Sequence, residues 1–428
     1  MAGSYVDPVA GVEWLPAAAT WLPSYPLTQL PTYPATQLPS NLATMSPVNR
    51  PIVAAVGVMA LAGAVAFVWL DARQQREYRR LLAAGDEAVA QGQTLEAIEA
   101  FSGALTLKPE SMIARLMRGE TYRQRGEFAS AVRDLGEAAS LDPTAPRPLE
   151  LLGDAHAAMS QYAAAATNYE RSLRLDDRAP RVVYKLGLAH YRNGDIAAAI
   201  ETLQRAVTLD ERMPQVHYLL GLCLRDRRPR GLAERALLRA VELEPTMAAA
   251  REELVTLYTE LGRQRQAIEQ LEALSALEPT RPERLVRVGL AYARLGRKDA
   301  AILTLGRAAE RHPDSSIVYT ALGRVWLDAA EDDGDRVALS KAIEALAPIA
   351  EKSNATSEAL TMYGRALLLS GSTTAAERVL RRASEQFPVE PMAFKYLASA
   401  ARRLGHLSSA QEAEAKHAAL VGNVAAGL

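Results

Sequence analysis

The chain has 428 residues, with 49 basic and 50 acidic side chains and a net charge of −1. That length exceeds one small core, and the even charge balance excludes the basic surface that nucleic-acid binders use to neutralise phosphates. Cys223 is the only cysteine, so no intrachain disulfide and no cysteine-based zinc site can form.

Residues 1–50 carry only Asp7, Glu13 and Arg50 as charges and are rich in proline. Proline lacks the backbone N–H that a helix needs, so no helix runs across these positions. Three octads follow one another: LPSYPLTQ from Leu22, LPTYPATQ from Leu30 and LPSNLATM from Leu38. Prolines in this rhythm predict an extended, polyproline-like tail. With few aliphatic runs to bury, the tail is expected either to be disordered or to order on a partner. Trp14, Trp21, Tyr25 and Tyr33 are its candidate docking residues, because aromatics are costly to leave in a purely solvated tail.

Residues 51–70 read PIVAAVGVMALAGAVAFVWL and contain no charge. At 1.5 Å per residue such a helix spans about 30 Å, the thickness of a bilayer core. A soluble helix rarely stays apolar on every face for so long. A cleaved leader fits poorly, because the run continues past Ala64-Val65-Ala66 as Phe67-Val68-Trp69-Leu70. A transmembrane helix is therefore predicted over 51–70, with Trp69 as an interfacial aromatic. Residues 71–77 read as a basic juxtamembrane linker. Arg73, Arg76, Arg79 and Arg80 follow the span, and only Arg50 precedes it. The positive-inside rule then places the C-terminal part in the cytoplasm and the tail outside a cell (inner) membrane.

From 78 to 420 the chain repeats. Pro109 and Pro143 are 34 residues apart, as are Pro245, Pro279 and Pro313 in succession. Glycine recurs at the eighth position of six of the seven units: Gly85, Gly119, Gly153, Gly187, Gly221 and Gly289. Alanine recurs twelve residues later, at Ala97, Ala131, Ala165, Ala199, Ala233, Ala267 and Ala301. A large residue follows four after that: Phe101, Leu135, Tyr169, Leu203, Leu237, Leu271 and Leu305. The small residues let two helices approach, the large one fills the space between them, and proline stops the second helix. One such pair cannot bury its apolar stripe alone, so the pairs must stack.

This pattern resembles the tetratricopeptide-repeat (TPR) family over about 80% of the chain. The resemblance implies an all-α, right-handed TPR α-solenoid of about ten helix pairs, here preceded by one transmembrane helix and the Pro-rich tail, and similar to a membrane-anchored bacterial type. Seven units run from 78 to 315 without interruption. The eighth, at 316–356, is irregular: Gly323 and Ala342 are nineteen residues apart instead of twelve. Seven extra residues are about two helical turns, so each helix of that pair is expected to gain one. Glu331, Asp332, Asp333, Gly334 and Asp335 are read as a solvated turn, since their spacing does not fit a calcium loop. Pro348 is expected to kink the second helix of that unit. The last second helix, polar at Gln411, Glu412, Glu414 and Lys416, reads as a cap, and 421–428 as a C-terminal tail.

TPR arrays resemble one another in binding ligands on the inner face of each first helix. Projecting those positions gives Arg181, Tyr184, Lys185, Leu188, Tyr191 and Arg192 in the fourth unit, and Gln215, Tyr218, Leu222 and Arg225 in the fifth. These are expected to lie off the packing stripe as a groove for a peptide or other protein segment of some acidic character. No phosphate loop, nucleophile elbow or His-Glu-x-x-His occurs. His156, His190, His217 and Cys223 are read as packed core rather than as ligands or nucleophiles. The chain is thus expected to be a non-catalytic, membrane-anchored scaffold or adaptor for protein partners. No cofactor, metal, nucleic acid or small-molecule substrate is expected. Two alternatives remain: an accessory subunit of a large membrane complex with the tail as an ordered brace, and an assembly factor for pilus or envelope export.

Overall fold

The structure is a computed structural model and describes residues 49–426 other than 227 and 228. The tail with Trp14, Trp21, Tyr25 and Tyr33 lies outside the described residues. Among those described there are twenty helices and no strand. The chain divides into two compact units, 1–211 and 212–428. The first contains α1 (Asn49–Ala90), α2 (Thr94–Leu107), α3 (Met112–Gln124), α4 (Phe128–Leu141), α5 (Pro146–Ala158), α6 (Tyr162–Leu175), α7 (Pro180–Arg192) and α8 (Ile196–Leu209). The second contains α9 (Pro214–Leu224), α10 (Gly231–Leu243), α11 (Ala248–Glu260), α12 (Gln264–Leu277), α13 (Pro282–Arg294) and α14 (Lys298–Arg311). It continues with α15 (Ser316–Asp333), α16 (Arg336–Ala350), α17 (Ser357–Leu369), α18 (Thr373–Glu385), α19 (Pro391–Arg403) and α20 (Leu407–Ala426).

Each odd-numbered helix packs on the helix that follows it, and the recurring residues account for the contact. Ala97, Ala131, Ala165, Ala199, Ala233 and Ala301 are buried, as are Phe101, Leu135, Tyr169, Leu203, Leu237 and Leu305. The eighth-position glycines touch those large side chains directly. A methyl group on Gly85 would lie 2.3 Å from the Phe101 ring, and one on Gly187 would lie 2.8 Å from Leu203. Glycine at this place therefore sets the distance between the two helices, and the large residue occupies the space a Cβ would need. Within a pair the chain turns through a residue of positive φ, which is glycine at 92, 126 and 194 but Ser160 (φ 59°) in the third unit. Five of the odd-numbered helices, α5, α7, α9, α13 and α19, begin with proline in the first turn, where its missing N–H costs nothing.

The boundaries at both ends of the array are helical. α1 runs unbroken for 42 residues from Asn49 to Ala90, so residues 71–77 join the apolar run to the first repeat as helix. The apolar run and the first helix of the first repeat are one element, so the ten pairs include the apolar helix instead of following it. Residues 71–83 read DARQQREYRRLLA, which contains neither glycine nor proline and is built of good helix formers. At the other end α20 continues through the expected tail as far as Ala426.

The irregular eighth unit also differs from the even split expected. Its first helix, α15, has 18 residues against 13 in α13, whereas α16 has 15 against 14 in α14. The insertion therefore lengthens one helix. Glu331, Asp332 and Asp333 form its last helical turn rather than a connecting turn, and Glu331 and Asp332 are exposed as expected. The Arg365 guanidinium on α17 pairs with Glu331, and Lys298 lies 3.1 Å from Asp332. Gly334 (φ 64°) reverses the chain, and the Asp335 carboxylate accepts the Val337 N–H at 2.7 Å to cap α16. The register survives, because Gly323 meets Leu346 as the other glycines meet their partners. Pro348 lies in the last turn of α16, two residues before its end.

Candidate functional site

Within the first unit, α7 holds the fourth-repeat candidates and α5 the equivalent positions of the third repeat. Both helices run from an initial proline, so the same register positions recur 34 residues apart. Arg181 is exposed, whereas Tyr184, Lys185, Leu188, Tyr191 and Arg192 are half-buried. Lys185 reaches back to the preceding repeat, where its ammonium donates to Glu150 Oε1 at 2.7 Å and Asp154 Oδ2 at 2.8 Å. The other Asp154 oxygen accepts the Tyr169 hydroxyl at 2.8 Å. Arg147 donates to Glu150 Oε2 at 3.2 Å and to Glu120 at 3.3 Å, so one network of charge runs from α3 through α5 to α7.

Electrostatics follow from that network. Burial pushes the Glu150 carboxyl up, but Lys185 and Arg147 outweigh it and hold the group below its ordinary value. Burial raises the Tyr184 phenol to about 12, despite the opposing charge of Arg192. Burial, with Asp154 and Glu150 nearby, also pushes the Tyr169 phenol up. Both tyrosines are thus neutral hydrogen-bonding groups. The acidic character expected of a ligand drew on Lys185 as a positive charge facing outward. That charge is already answered by two carboxylates of the chain itself, which removes its part in that expectation.

Sequence projection omitted Arg147, Glu150 and Asp154. The signal was available: they stand 34 residues before Arg181, Tyr184 and Leu188 and so occupy the same inner positions one repeat earlier.

In the second unit α9 holds the fifth-repeat candidates, and here one expectation fails. Tyr218 is only 6% exposed and packs with Leu237, Leu254 and Tyr258, while Leu222 lies against the same cluster. Tyr218 is core, not open surface, whereas Leu222 is half-buried like Leu188. Gln215 and Arg225 are half-buried, and Arg225 donates to Glu253 at 2.9 Å. Of the residues expected in the core, His217 and Cys223 are buried, but His156 and His190 are half-buried. His156 shares a hydrogen bond of 2.8 Å with Gln161. Among the described residues no group of three His, Cys, Asp or Glu side chains could hold a metal ion.

The family is decided by the repeat itself. The model for the tetratricopeptide repeat matches residues 82–146, 151–214, 184–248 and 253–316, which is over half of the chain. The chain belongs to the tetratricopeptide-repeat family. TPR proteins mediate protein–protein interaction, and the TPR fold is typically a non-catalytic scaffold. Similar solved structures include MamA from Desulfovibrio magneticus RS-1, with 20% identity, 40% of this chain and 96% of that chain covered, and a TM-score of 0.38. Another is the C-terminal part of a TPR repeat-containing protein from Cytophaga hutchinsonii, with 17% identity, 57% and 99% covered, and a TM-score of 0.49. A third is pilF of Pseudomonas aeruginosa, with 19% identity, 48% and 94% covered, and a TM-score of 0.39. No curated protein matches the chain.

Proposed function

We propose that this TPR protein is a single-pass membrane scaffold that holds a protein partner on the inner face of its repeats. The observation that carries the reading is the exposure of the first half of α1. Its large apolar side chains from Val56 to Leu70 are 55–73% exposed, and none of the described side chains from Ala55 to Leu70 is buried within the chain. A contiguous apolar surface of this size in water would drive association, whereas a bilayer satisfies it. The arginines after the span support a cytoplasmic array with the Pro-rich tail on the other side of a cell (inner) membrane. Because α1 does not break, the anchor would carry the first repeat as a rigid extension. The partner surface we assign comprises Arg181, Tyr184, Lys185, Leu188, Tyr191 and Arg192 in the first unit, extended by Arg147 on α5. For the second unit, taken by itself, we assign Gln215, Leu222 and Arg225 and leave out Tyr218, which is core. The Leu-Pro octads with Trp14, Trp21, Tyr25 and Tyr33 would engage a membrane complex from the opposite face.

Two experiments test this. Protease added to sealed vesicles should spare the repeats and cut them only after the vesicles are opened; digestion from outside would reverse the orientation. Capture in mild detergent should lose its specific partners when Tyr184 and Tyr191 are both changed to Ala. A partner set unaffected by those changes would remove the groove from the account.

A further inference from the structure

The geometry points to the first inter-repeat connection, Lys108–Ser111, as a contact for anionic phospholipid headgroups. This placement rests on residues 51–70 being the membrane span. Helix α2 returns antiparallel to α1, and its end is fastened beside the start of the water-exposed part of α1. Gln74 donates to the Leu107 carbonyl at 2.6 Å, Lys108 donates to Gln75 at 2.6 Å, and the Tyr78 and Ser111 hydroxyls are 2.5 Å apart. Gln74 and Gln75 are four and five residues beyond Leu70, about 6–8 Å along a helix axis. The polar layer of a bilayer is roughly 5–7 Å thick on each side. The connection is therefore level with the headgroups.

Its chemistry matches that level. In the next five repeats the position equivalent to 108 is acidic: Asp142, Asp176, Asp210, Glu244 and Glu278. Only the connection beside the membrane has lysine there among these six. The Lys108 ammonium lies over the Tyr78 ring, 4.6 Å from its centre. Together with Pro109, Glu110, Ser111, Met112 and Ile113 these two residues line an open pocket of about 660 Å³. Ile113 at its rim is 53% exposed and offers an apolar side chain at interface depth. On α1 itself Arg73 stacks on Trp69 at 5.6 Å, which joins a second cation to an aromatic at the same depth. A basic group close to an anionic surface favours contact by roughly five-fold. Glu110 in the same connection offsets Lys108 and leaves Lys108–Ser111 neutral overall, whereas Asp142–Ala145, Asp176–Ala179, Asp210–Met213 and Glu244–Met247 each carry a net negative charge that an anionic surface would repel.

The test uses the full chain in lipid nanodiscs, with a nitroxide at Ile113→Cys in a Cys223→Ser background. Phosphatidylcholine discs are compared with discs rich in phosphatidylglycerol. In the anionic discs the label should become more accessible to oxygen and less accessible to a water-soluble nickel chelate, by roughly five-fold in the ratio of the two. Lys108→Glu, which restores the acid of the other repeats, should abolish that response, and high salt should weaken it. Lys108→Gln, which keeps a polar partner for Gln75, should also lose it and serves if the reversal disturbs folding. Equal accessibility in both discs, or a response untouched by either substitution, would overturn the headgroup contact. Flotation with vesicles after a carbonate wash is the parallel control. A chain that fails to float overturns the anchor and this contact together, whereas one that floats without a lipid response overturns this contact alone.

Discussion

Changing Gly153 to Ala tests the packing rule that recurs in most of the helix pairs. The added methyl would lie 2.5 Å from Tyr169 Cε1 and 2.7 Å from Cδ1. The ring is rigid, 3% exposed and tethered by its hydroxyl to Asp154 at 2.8 Å, so it cannot swing away without losing that bond. Overpacking of this kind costs about 1–3 kcal/mol, and a hydrogen bond to a charged group adds about 1.5–3 kcal/mol if it breaks. Alanine returns about 1 kcal/mol as the better helix former. The net expectation is a loss of about 2 kcal/mol. Gly119→Ala meets the more adaptable Leu135 at 2.8 Å and should lose less. Gly136→Ala, on the neighbouring α4, meets nothing within 4 Å and should gain about 0.5–1 kcal/mol. Guanidinium unfolding of the full chain in detergent, followed by circular dichroism, gives the sign of each change. Amide exchange across α5 and α6 localises it, because a repeat array need not unfold in one step. If Gly153→Ala and Gly136→Ala shift the midpoint in the same direction, the packing rule is wrong.

Other outcomes follow from the same contacts. Arg118 donates to both oxygens of Asp134 (2.6 and 2.8 Å), a carboxylate only 3% exposed, so Arg118→Ala should cost about 3–5 kcal/mol by chemical denaturation, and adding Asp134→Asn should recover part of it. Ser160→Gly should raise the melting temperature, since Ser160 has the only positive φ among described non-glycine residues; a drop would mean that its contact with Tyr162 outweighs backbone strain. Glu150 is held below its ordinary value of 4.5, so its contribution is complete above about pH 4.5 and is lost as pH falls through the lowered value. Glu150→Gln should therefore be less stable at neutral pH and decline less steeply in acid, as read from melting temperatures between pH 3 and 7 (about the carboxylate range).

The repeats were legible because each position is dictated by its neighbours within one helix pair. Gly153, Ala165 and Tyr169 each have one local task, and 34-residue spacing exposes it repeatedly. What was misread depends on longer-range packing or on continuity. Tyr218 has the register of a groove residue, and α9 alone cannot reveal that Leu254 and Tyr258 of α11 close over it. Lys185 looks like a free cation until Glu150 and Asp154, one repeat earlier, are placed beside it. The charges at 71–77 mark exposure, whereas helix propensity marks continuity, and here both hold. The seven-residue insertion kept its phase, but which helix took it up was decided by the Gly334 reversal and the Asp335 cap.

The central claim is that one unbroken helix leaves the membrane and becomes the first helix of the repeat array. A nitroxide scan along α1 of the full chain in proteoliposomes, from position 56 to position 80, tests it most directly. The account predicts high oxygen access up to Leu70. Beyond that, constrained labels should show a helical period of about 3.6 residues straight through 71–77. Freely mobile labels at 71–77, or water access throughout 56–70, would contradict it.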